Sequence, residues 1–506
     1  MALLLVACAV GPDYKRPAAP PQAGYFPEGV SSAQATVAPA PAGNPERFVM
    51  GRDIRFAWWT ELGSPKLDAL VEKALAANPT ITAAQATLKQ AQEQVYAQRG
   101  FFYPSMQASF QPARQQLAGN LGGNSPGIQG NGSVISTYQN PGGPPPFNGP
   151  VIYNFYTAQL SLSYTLDAFG GNRRQVESLK AQAQALRFQM EGAYVTLVTN
   201  VVAAAIQEAS IEAQVKATRA FIAQNETGLK ILKDQQRLGY VMRLDVAIQE
   251  QALAQAKALL PPLQKQLDQN SDLIRALVGG APSDALDLDF DIDGLKLPGD
   301  LPVSAPSALV DQRPDVRAAE EQLHSASAQV GVAVANRLPQ FTLTAADGGG
   351  ASVVTQMFST GGPFWSIVGN ASQTLFDGGT LRHRQRAAEQ TLVQAKAQYR
   401  ITVIAALQNV ADTLHAIQTD ADALAAQAQA EEAAKTTLAV TTDQRDAGYV
   451  NELTLLSAQE AYQQALISRL LAQTNRLGDA AALYQALGGG WWNRERAEGP
   501  QGQKLD

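Results

Sequence analysis

The chain has one cysteine, Cys8, in 506 residues, so no disulfide forms within it and no cysteine-based zinc site is possible. It has no run of about 20 consecutive apolar residues, so no helix is expected to span a bilayer and any crossing must be made by strands. A basic surplus is also missing. Lys and Arg number 39 against 45 Asp and Glu, a formal charge of −6, which disfavours nucleic acid as a partner. His324, His383 and His415 stand apart on helical stretches with no Glu or His at metal-ligand spacing, so they read as surface or packing residues. The Gly-rich stretch from Gly119 to Gly132 lacks the Lys-Ser/Thr of a phosphate cradle. No catalytic set, metal or cofactor is expected. Proline, finally, is absent from Gly171 to Leu238.

That last absence marks the element around which the chain is organised. Gln159, Ser161, Ser163, Thr165 and Asp167 alternate with Leu160, Leu162, Tyr164 and Leu166, the period of a strand with one polar and one apolar face. The following stretch is dominated by Ala, Gln, Leu, Glu, Lys and Val and predicts one uninterrupted helix, about 100 Å long at 1.5 Å per residue. The same order recurs. Asn370, Ser372 and Thr374 lead into Phe376-Asp377-Gly378-Gly379 and a second proline-free stretch to Ala447.

The landmarks keep register, which points to two tandem structural repeats. Pro79 answers Pro314 and Pro104 answers Pro339, both at an offset of 235; Gly239-Tyr240-Val241 answers Gly448-Tyr449-Val450 and Gly279 answers Gly488, both at 209. The difference assigns about 26 extra residues of the first copy to the Gly/Pro/Asn/Ser-rich loop between Gly119 and Gly149.

The expected boundaries follow. Residues 1–63 form an N-terminal tether and equatorial segment, its first part, Ala9 to about Val49, extended and rich in Ala, Pro and Gly. Repeat 1 spans 64–278, with a helix 64–100, strands 104–113 and 153–167, a long helix 171–238 and a helix 243–278. Ser64 and Pro65 suit the N-cap and first turn of its first helix. Pro261-Pro262 is expected to kink or break its last one. Residues 279–312 are an acidic linker. Repeat 2 spans 313–487, with a helix 313–337, strands 340–347 and 364–376, a long helix 379–447 and a helix 451–487; the tail 488–506 is expected to fray from Trp491.

Strands of about ten residues match an outer membrane, and Tyr153, Phe155 and Tyr156 look like an interfacial aromatic girdle. Four strands cannot close a cylinder, and open edges in hydrocarbon cost several kcal/mol per group, so further copies of the chain must seal them. Apolar spacing near 3.5 residues at Val195, Val198, Val202, Ala205 and Ala209 suits helices packed into a wall. A soluble β-sandwich edge and a plain two-helix coiled coil are the simpler readings of these two features. Arg173, Arg174, Arg382, Arg384 and Arg386 follow the two strand-to-helix joints, where positive charge opposes the helix dipole and calls for compensation, membrane headgroups being one source.

Leu5-Val6-Ala7-Cys8 fits a bacterial lipoprotein processing box, with Cys8 as the lipidated residue. Met1 to Ala7 is too short for a signal peptide and lacks a basic n-region, which predicts a true translation start upstream.

Arg313-Pro314-Asp315-Val316-Arg317-Ala318-Ala319-Glu320, continuing to Leu338-Pro339 and Phe341-Thr342-Leu343-Thr344, resembles the TolC-like outer membrane factor family. The lipoprotein branch serving resistance-nodulation-division efflux is the nearest in pattern: Gly11-Pro12-Asp13-Tyr14-Lys15-Arg16-Pro17 after Cys8 resembles its mature start, and Leu166 to Gly171 and Leu375 to Gly379 resemble its strand-to-helix joints. The resemblance implies a mainly α fold with a small transmembrane β part: a homotrimer whose 12-stranded β-barrel in outer membrane lipid continues into a 12-helix α-barrel through the periplasm. It implies a passive duct, not an enzyme, without cofactors, partnered by a periplasmic membrane fusion adaptor and an inner-membrane resistance-nodulation-division pump. Gly239, Tyr240, Val241, Gly448, Tyr449 and Val450 would form the periplasmic tips where the adaptor docks. Leu453 matches a constricting apolar ring and Asp245 an acid of the first tip; Ser457 stands where relatives commonly carry Asp and Glu460 where they carry Arg, which weakens a charge-based latch. Two other readings are the outer component of type I protein secretion and a periplasmic scaffold or adaptor lipoprotein without a pore.

Overall fold

The computed structural model describes residues 9–18, 25, 47–117 and 151–494. Cys8, the glycine-rich loop from Gly119 to Gly149, most of the expected tether and the residues after 494 lie outside them. The chain divides into two compact units, the first made of Met1–Lys15, Gln90–Ala183 and Gln322–Lys396, the second of Arg16–Lys89, Gln184–Glu321 and Ala397–Asp506.

The first unit holds one four-stranded antiparallel sheet, β2 (Ser105–Leu117), β3 (Val151–Leu166), β5 (Gln340–Ala351) and β6 (Pro363–Ser372), in that spatial order. Ser105 pairs with Ser163, Leu166 with Phe341 and Gln340 with Ser372, so every strand end that adjoins a helix lies at one end of the sheet. β2 and β6 are its edges.

Three strand ends differ from the expected ones by four residues, and the remaining boundaries by two at most. β2 runs to Leu117 instead of 113 because β3 supplies partners as far as Val151. β5 runs to Ala351 instead of 347: Gly348, Gly349 and Gly350 are laddered to Gln159, Ala158 and Thr157. A β-carbon on Gly350 would stand 3.1 Å from the Phe155 ring, so this glycine makes room for an aromatic and does not form a turn. β6 stops at Ser372 instead of 376, because its partner there is Gln340 and the preceding residue, Pro339, has no N–H to donate.

Both joints are closed by an aspartate. Before α3 (Gly171–Arg237), Asp167 Oδ1 accepts from Asn172 N at 2.9 Å and Oδ2 from Arg173 N at 3.0 Å. Before α7 (Thr380–Asp446), Asp377 Oδ1 accepts from Gly379 N and Oδ2 from Leu381 N, each at 2.8 Å. Capping carboxylates satisfy the free N–H groups of a helix start and complement its dipole.

In the second unit, β1 (Arg47–Met50) pairs in parallel with β4 (Asp300–Val303). The end of the expected tether is therefore a strand. Its charged ends agree: Arg47 Nε meets Asp300 Oδ1 at 2.5 Å. The helix expected over 64–100 is two helices, α1 (Pro65–Ala77) and α2 (Pro79–Arg99). Pro79 holds Asn78 in an extended conformation with ψ 123°, and the Asn78 side chain bonds Thr80 N and Leu277 O.

α4 (Arg243–Leu277) runs through Pro261 and Pro262 as one helix, so of the expected kink or break the break does not occur. Both prolines are exposed, so water can satisfy the backbone carbonyls they leave unpaired, while buried Ala256 and Ile274 hold the helix on either side. A short α5 (Pro306–Gln312) and α6 (Pro314–Ala335) follow, and α8 (Glu452–Ala486) closes the chain's helical part. α3 and α7 each have 67 residues, and α4 and α8 each have 35.

One window of α3 is apolar enough to cross a membrane by length and composition, with mean hydropathy 1.3. It is 72% buried inside the protein, which makes it core. Val195, Val198, Val202, Ala205 and Ala209 are all buried there, and so are Val201 and Ile206, a stripe wider than a two-helix seam. Asn270 Nδ2 and Ser271 Oγ of α4 donate to the buried Glu208 carboxylate at 2.7 and 2.5 Å. The chain does not fray at Trp491. Trp491 Nε1 donates to Gln312 O at 2.6 Å and Trp492 Nε1 to Asp53 Oδ1 at 3.0 Å, bonds that indole N–H groups require when partly buried. Trp58 stacks on Tyr484 at 4.7 Å, and the tyrosine hydroxyl donates to Glu61.

Candidate functional site

The reversals between α3 and α4 and between α7 and α8 are built the same way. Gly239 N donates to Gln236 O at 3.0 Å and Tyr240 N to Gln235 O at 2.9 Å; Gly448 N donates to Arg445 O at 3.0 Å and Tyr449 N to Gln444 O at 2.8 Å. This double bond pattern is the Schellman stop, which needs a left-handed residue, and the two glycines have φ +83° and +80°. A β-carbon on either would meet nothing within 4 Å, so the requirement is for backbone freedom and not for space.

Restart of the helix differs between the two. Asp245 Oδ2 accepts from Met242 N at 2.9 Å, binding the acid to its own helix start. Asn451 Oδ1 accepts from Thr454 N and Thr454 Oγ1, both at 2.9 Å. Tyr240 and Tyr449 are 79% and 82% exposed. The first reversal also exposes Leu238, Met242 and Leu244, whereas the second carries Ala447, Asn451 and the half-buried Leu453 at the corresponding places. Val241 and Val450 are half-buried.

Of the expected gate residues, Leu453, Ser457 and Glu460 lie on the first turns of α8 and Asp245 on the first turn of α4. Leu453 is half-buried; Ser457 is exposed and donates from Oγ to Leu453 O at 3.2 Å; Glu460 is exposed one turn on. Leu455 and Leu456 face the core.

Behind the reversals lies a polar cluster that the sequence reading passed over. Gln249 Nε2 donates to Asn225 Oδ1 at 3.0 Å and to Asn225 O at 3.2 Å, and Asn225 Nδ2 donates to Phe221 O, with both side chains fully buried. Glu452 Oε2 accepts from Arg445 Nη1 at 3.3 Å, with only 8% of the glutamate side chain exposed. A β-carbon on Gly228 would meet Glu452 Oε1 at 3.1 Å and Gln249 Nε2 at 3.4 Å, so α3 brings a glycine where α4 and α8 send polar side chains. Burial pushes the Glu452 carboxyl above its ordinary range, and Arg445 partly opposes this. The signal was present: Phe221, Asn225, Gly228 and Leu232 repeat at core spacing, and the middle two are not apolar.

The sequence pattern of the outer membrane efflux protein family matches residues 70–280 and 305–489. The chain is 28% identical over 434 residues to the pyoverdine export outer membrane protein OpmQ of Pseudomonas putida, covering 86% of this chain and 88% of that one. It is 27% identical over 510 residues to the toluene efflux pump outer membrane protein TtgF of Pseudomonas putida, covering 97% and 96%. Among solved structures, the outer-membrane channel OprN superposes with a TM-score of 0.79 at 25% identity, covering 96% of this chain and 100% of that one. The Campylobacter jejuni CmeC outer membrane channel superposes with a TM-score of 0.81 at 18% identity, covering 96% of each chain, a likeness of fold.

Proposed function

This chain belongs to the outer membrane efflux protein family and is an outer membrane efflux channel, and we propose that three copies of it join into a passive exit duct for small molecules. The observation that carries the trimer is the sheet. Among the described residues its edges β2 and β6 are unpaired, and an outer-membrane sheet must pair every edge. Three sheets of four strands give a 12-stranded barrel, continued by a 12-helix tunnel. Residues 64–278 and 313–487 act as the two repeats, with the described residues 47–63, 279–312 and 488–494 forming an equatorial collar.

The reversals at Gly239-Tyr240-Val241 and Gly448-Tyr449-Val450 serve as periplasmic tips that receive a membrane fusion adaptor, linked to an inner-membrane resistance-nodulation-division pump. Two exposed tyrosines carried on identical backbone stops support that role. Cys8 is the site of lipid attachment. Support comes from the residues just after it: Val10 N donates to Phe169 O at 3.1 Å, which fixes the chain beside a strand-to-helix joint. Small-molecule cargo accords with the pyoverdine and toluene named for the two relatives.

Leu453 closes the duct by apolar contact, which matters more than charge there because the exposed Ser457 is uncharged and Glu460 stands where relatives commonly carry Arg. Asp245, spent on a helix cap, supports an apolar closure over an electrostatic one. Reconstituted in planar bilayers, the protein should conduct as a trimer, and Leu453→Ala should raise single-channel conductance. A protein that stays monomeric and passes no ions refutes the duct; an active pore with unchanged Leu453→Ala conductance refutes the gate alone.

A further inference from the structure

The two strand-to-helix joints treat their arginines in opposite ways. At the first, Arg173 Nε lies 3.3 Å from Asp167 Oδ2, and Arg174, buried, meets Asp13 at 2.6 Å and Glu177 at 2.8 Å. Internal acids thus compensate both, and headgroups are not needed there. At the second, Arg382, Arg384 and Arg386 are exposed and form no ion pair among the described residues. The stretch from Gly378 to Ala388 contains no acid, and Glu389 beyond it accepts from Gln385 at 2.8 Å. At the 209-residue offset the counterpart of Arg386 is Glu177, the acid that carries Arg174.

Arg382 and Arg386 are one turn apart on one flank of α7, a like-charge spacing that destabilises a helix unless an anion lies over both. Arg384 points to another flank. The N–H groups of the helix start are not what is on offer, since Asp377 already takes those of Gly379 and Leu381. Immediately before the joint, Leu375 and Phe376 are 94% and 90% exposed, the largest such values among the exposed apolar side chains. They lie at the end of the sheet where the helices begin, just past the last laddered pair, Gln340 with Ser372. An apolar pair at the end of a membrane sheet, followed after the Asp377 cap by unpaired cations on the first turns of α7, is the order of acyl chain and phosphate across a bilayer interface.

We propose that Arg382 and Arg386 hold the phosphate of an anionic phospholipid of the periplasmic leaflet, with Leu375 and Phe376 set against its acyl chains. The occupant is a lipid and not a free anion, because the apolar pair and the cations are used together.

Full-length protein in detergent micelles doped with pyrene-labelled phosphatidylglycerol tests this. The Arg382→Gln/Arg386→Gln double variant should bind phosphatidylglycerol about 25-fold more weakly, at roughly fivefold per arginine. Arg384→Gln and the charge-keeping Arg382→Lys/Arg386→Lys variant should bind like the native protein, labelled phosphatidylcholine should not discriminate, and about 0.5 M salt should weaken native binding toward that of the double variant. Native-like phosphatidylglycerol binding by the double variant overturns the proposal. So does displacement of the lipid by millimolar inorganic phosphate, which marks a free-anion site, or loss of subunit assembly with lipid binding intact, which assigns the arginines to a neighbouring copy. Should the double variant fail to fold, the lysine variant and the salt response of native protein decide the matter.

Discussion

Gly11 lies so close to Gly331 of α6 that a β-carbon on Gly11 would overlap the Gly331 Cα. A β-carbon on Gly331 would in turn meet Val10 O at 2.9 Å and Arg174 Cγ at 2.8 Å. The segment 9–15 therefore rests on α6 through two glycines, with Arg174 tied to Val10 O at 3.1 Å and to Asp13, and Tyr14 stacked on His324 at 4.2 Å.

Gly331→Val should lift this segment. The expected result is faster trypsin cleavage after Lys15 and a loss of about 1–3 kcal/mol, the usual cost of overpacking a tight contact. Cleavage at the native rate would show that the segment is held by something other than this approach.

Gly239→Ala and Gly448→Ala should each cost about 1–2 kcal/mol, because an alanine at positive φ pays only the left-handed backbone penalty where nothing crowds the β-carbon. Asparagine, which tolerates that region, should cost less at both positions. Thermal melts of the four variants would sink the idea if alanine and asparagine behaved alike.

Glu452→Gln should stabilise the protein at neutral pH. The folded carboxyl binds its proton more tightly than the unfolded one, chiefly through burial. Its contribution is therefore fully present below the ordinary value of 4.5 and is lost as pH rises through the elevated folded value. Melting midpoints should favour the variant at pH 7 and converge toward pH 4. A variant less stable than native at pH 7 would mean that the Arg445 pairing outweighs desolvation.

Asp167→Ala should cost about 1–2 kcal/mol, since it strips two backbone N–H groups of α3 and the Arg173 guanidinium of their acceptor. Asp377→Ala should cost about as much for two N–H groups of α7. Hydrogen exchange confined to the first turn of each helix is the readout, and unchanged protection there would discount the caps.

Local chemistry was legible throughout. The proline-free composition fixed α3 and α7 to within a residue or two, Gly239 and Gly448 marked both reversals, and the Ser64 cap with Pro65 behind it opened α1 as expected. Such features depend on residues within one turn of each other, and a sequence records those directly. Where an element ended was decided elsewhere: β6 by what Pro339 could not donate, β5 by the Phe155 ring, and the first helix by Asn78 reaching Leu277.

Charge shows the division most plainly. The sequence alone established that five arginines follow the two joints and that the helix dipole needs something to offset them. Only the tertiary structure decided which were already answered, because Asp13 reaches Arg174 across 161 positions of chain, while nothing in the described residues reaches Arg382 or Arg386. A dipole acts over one turn and can be read from neighbours; an ion pair between distant segments exists only once the fold has brought them together.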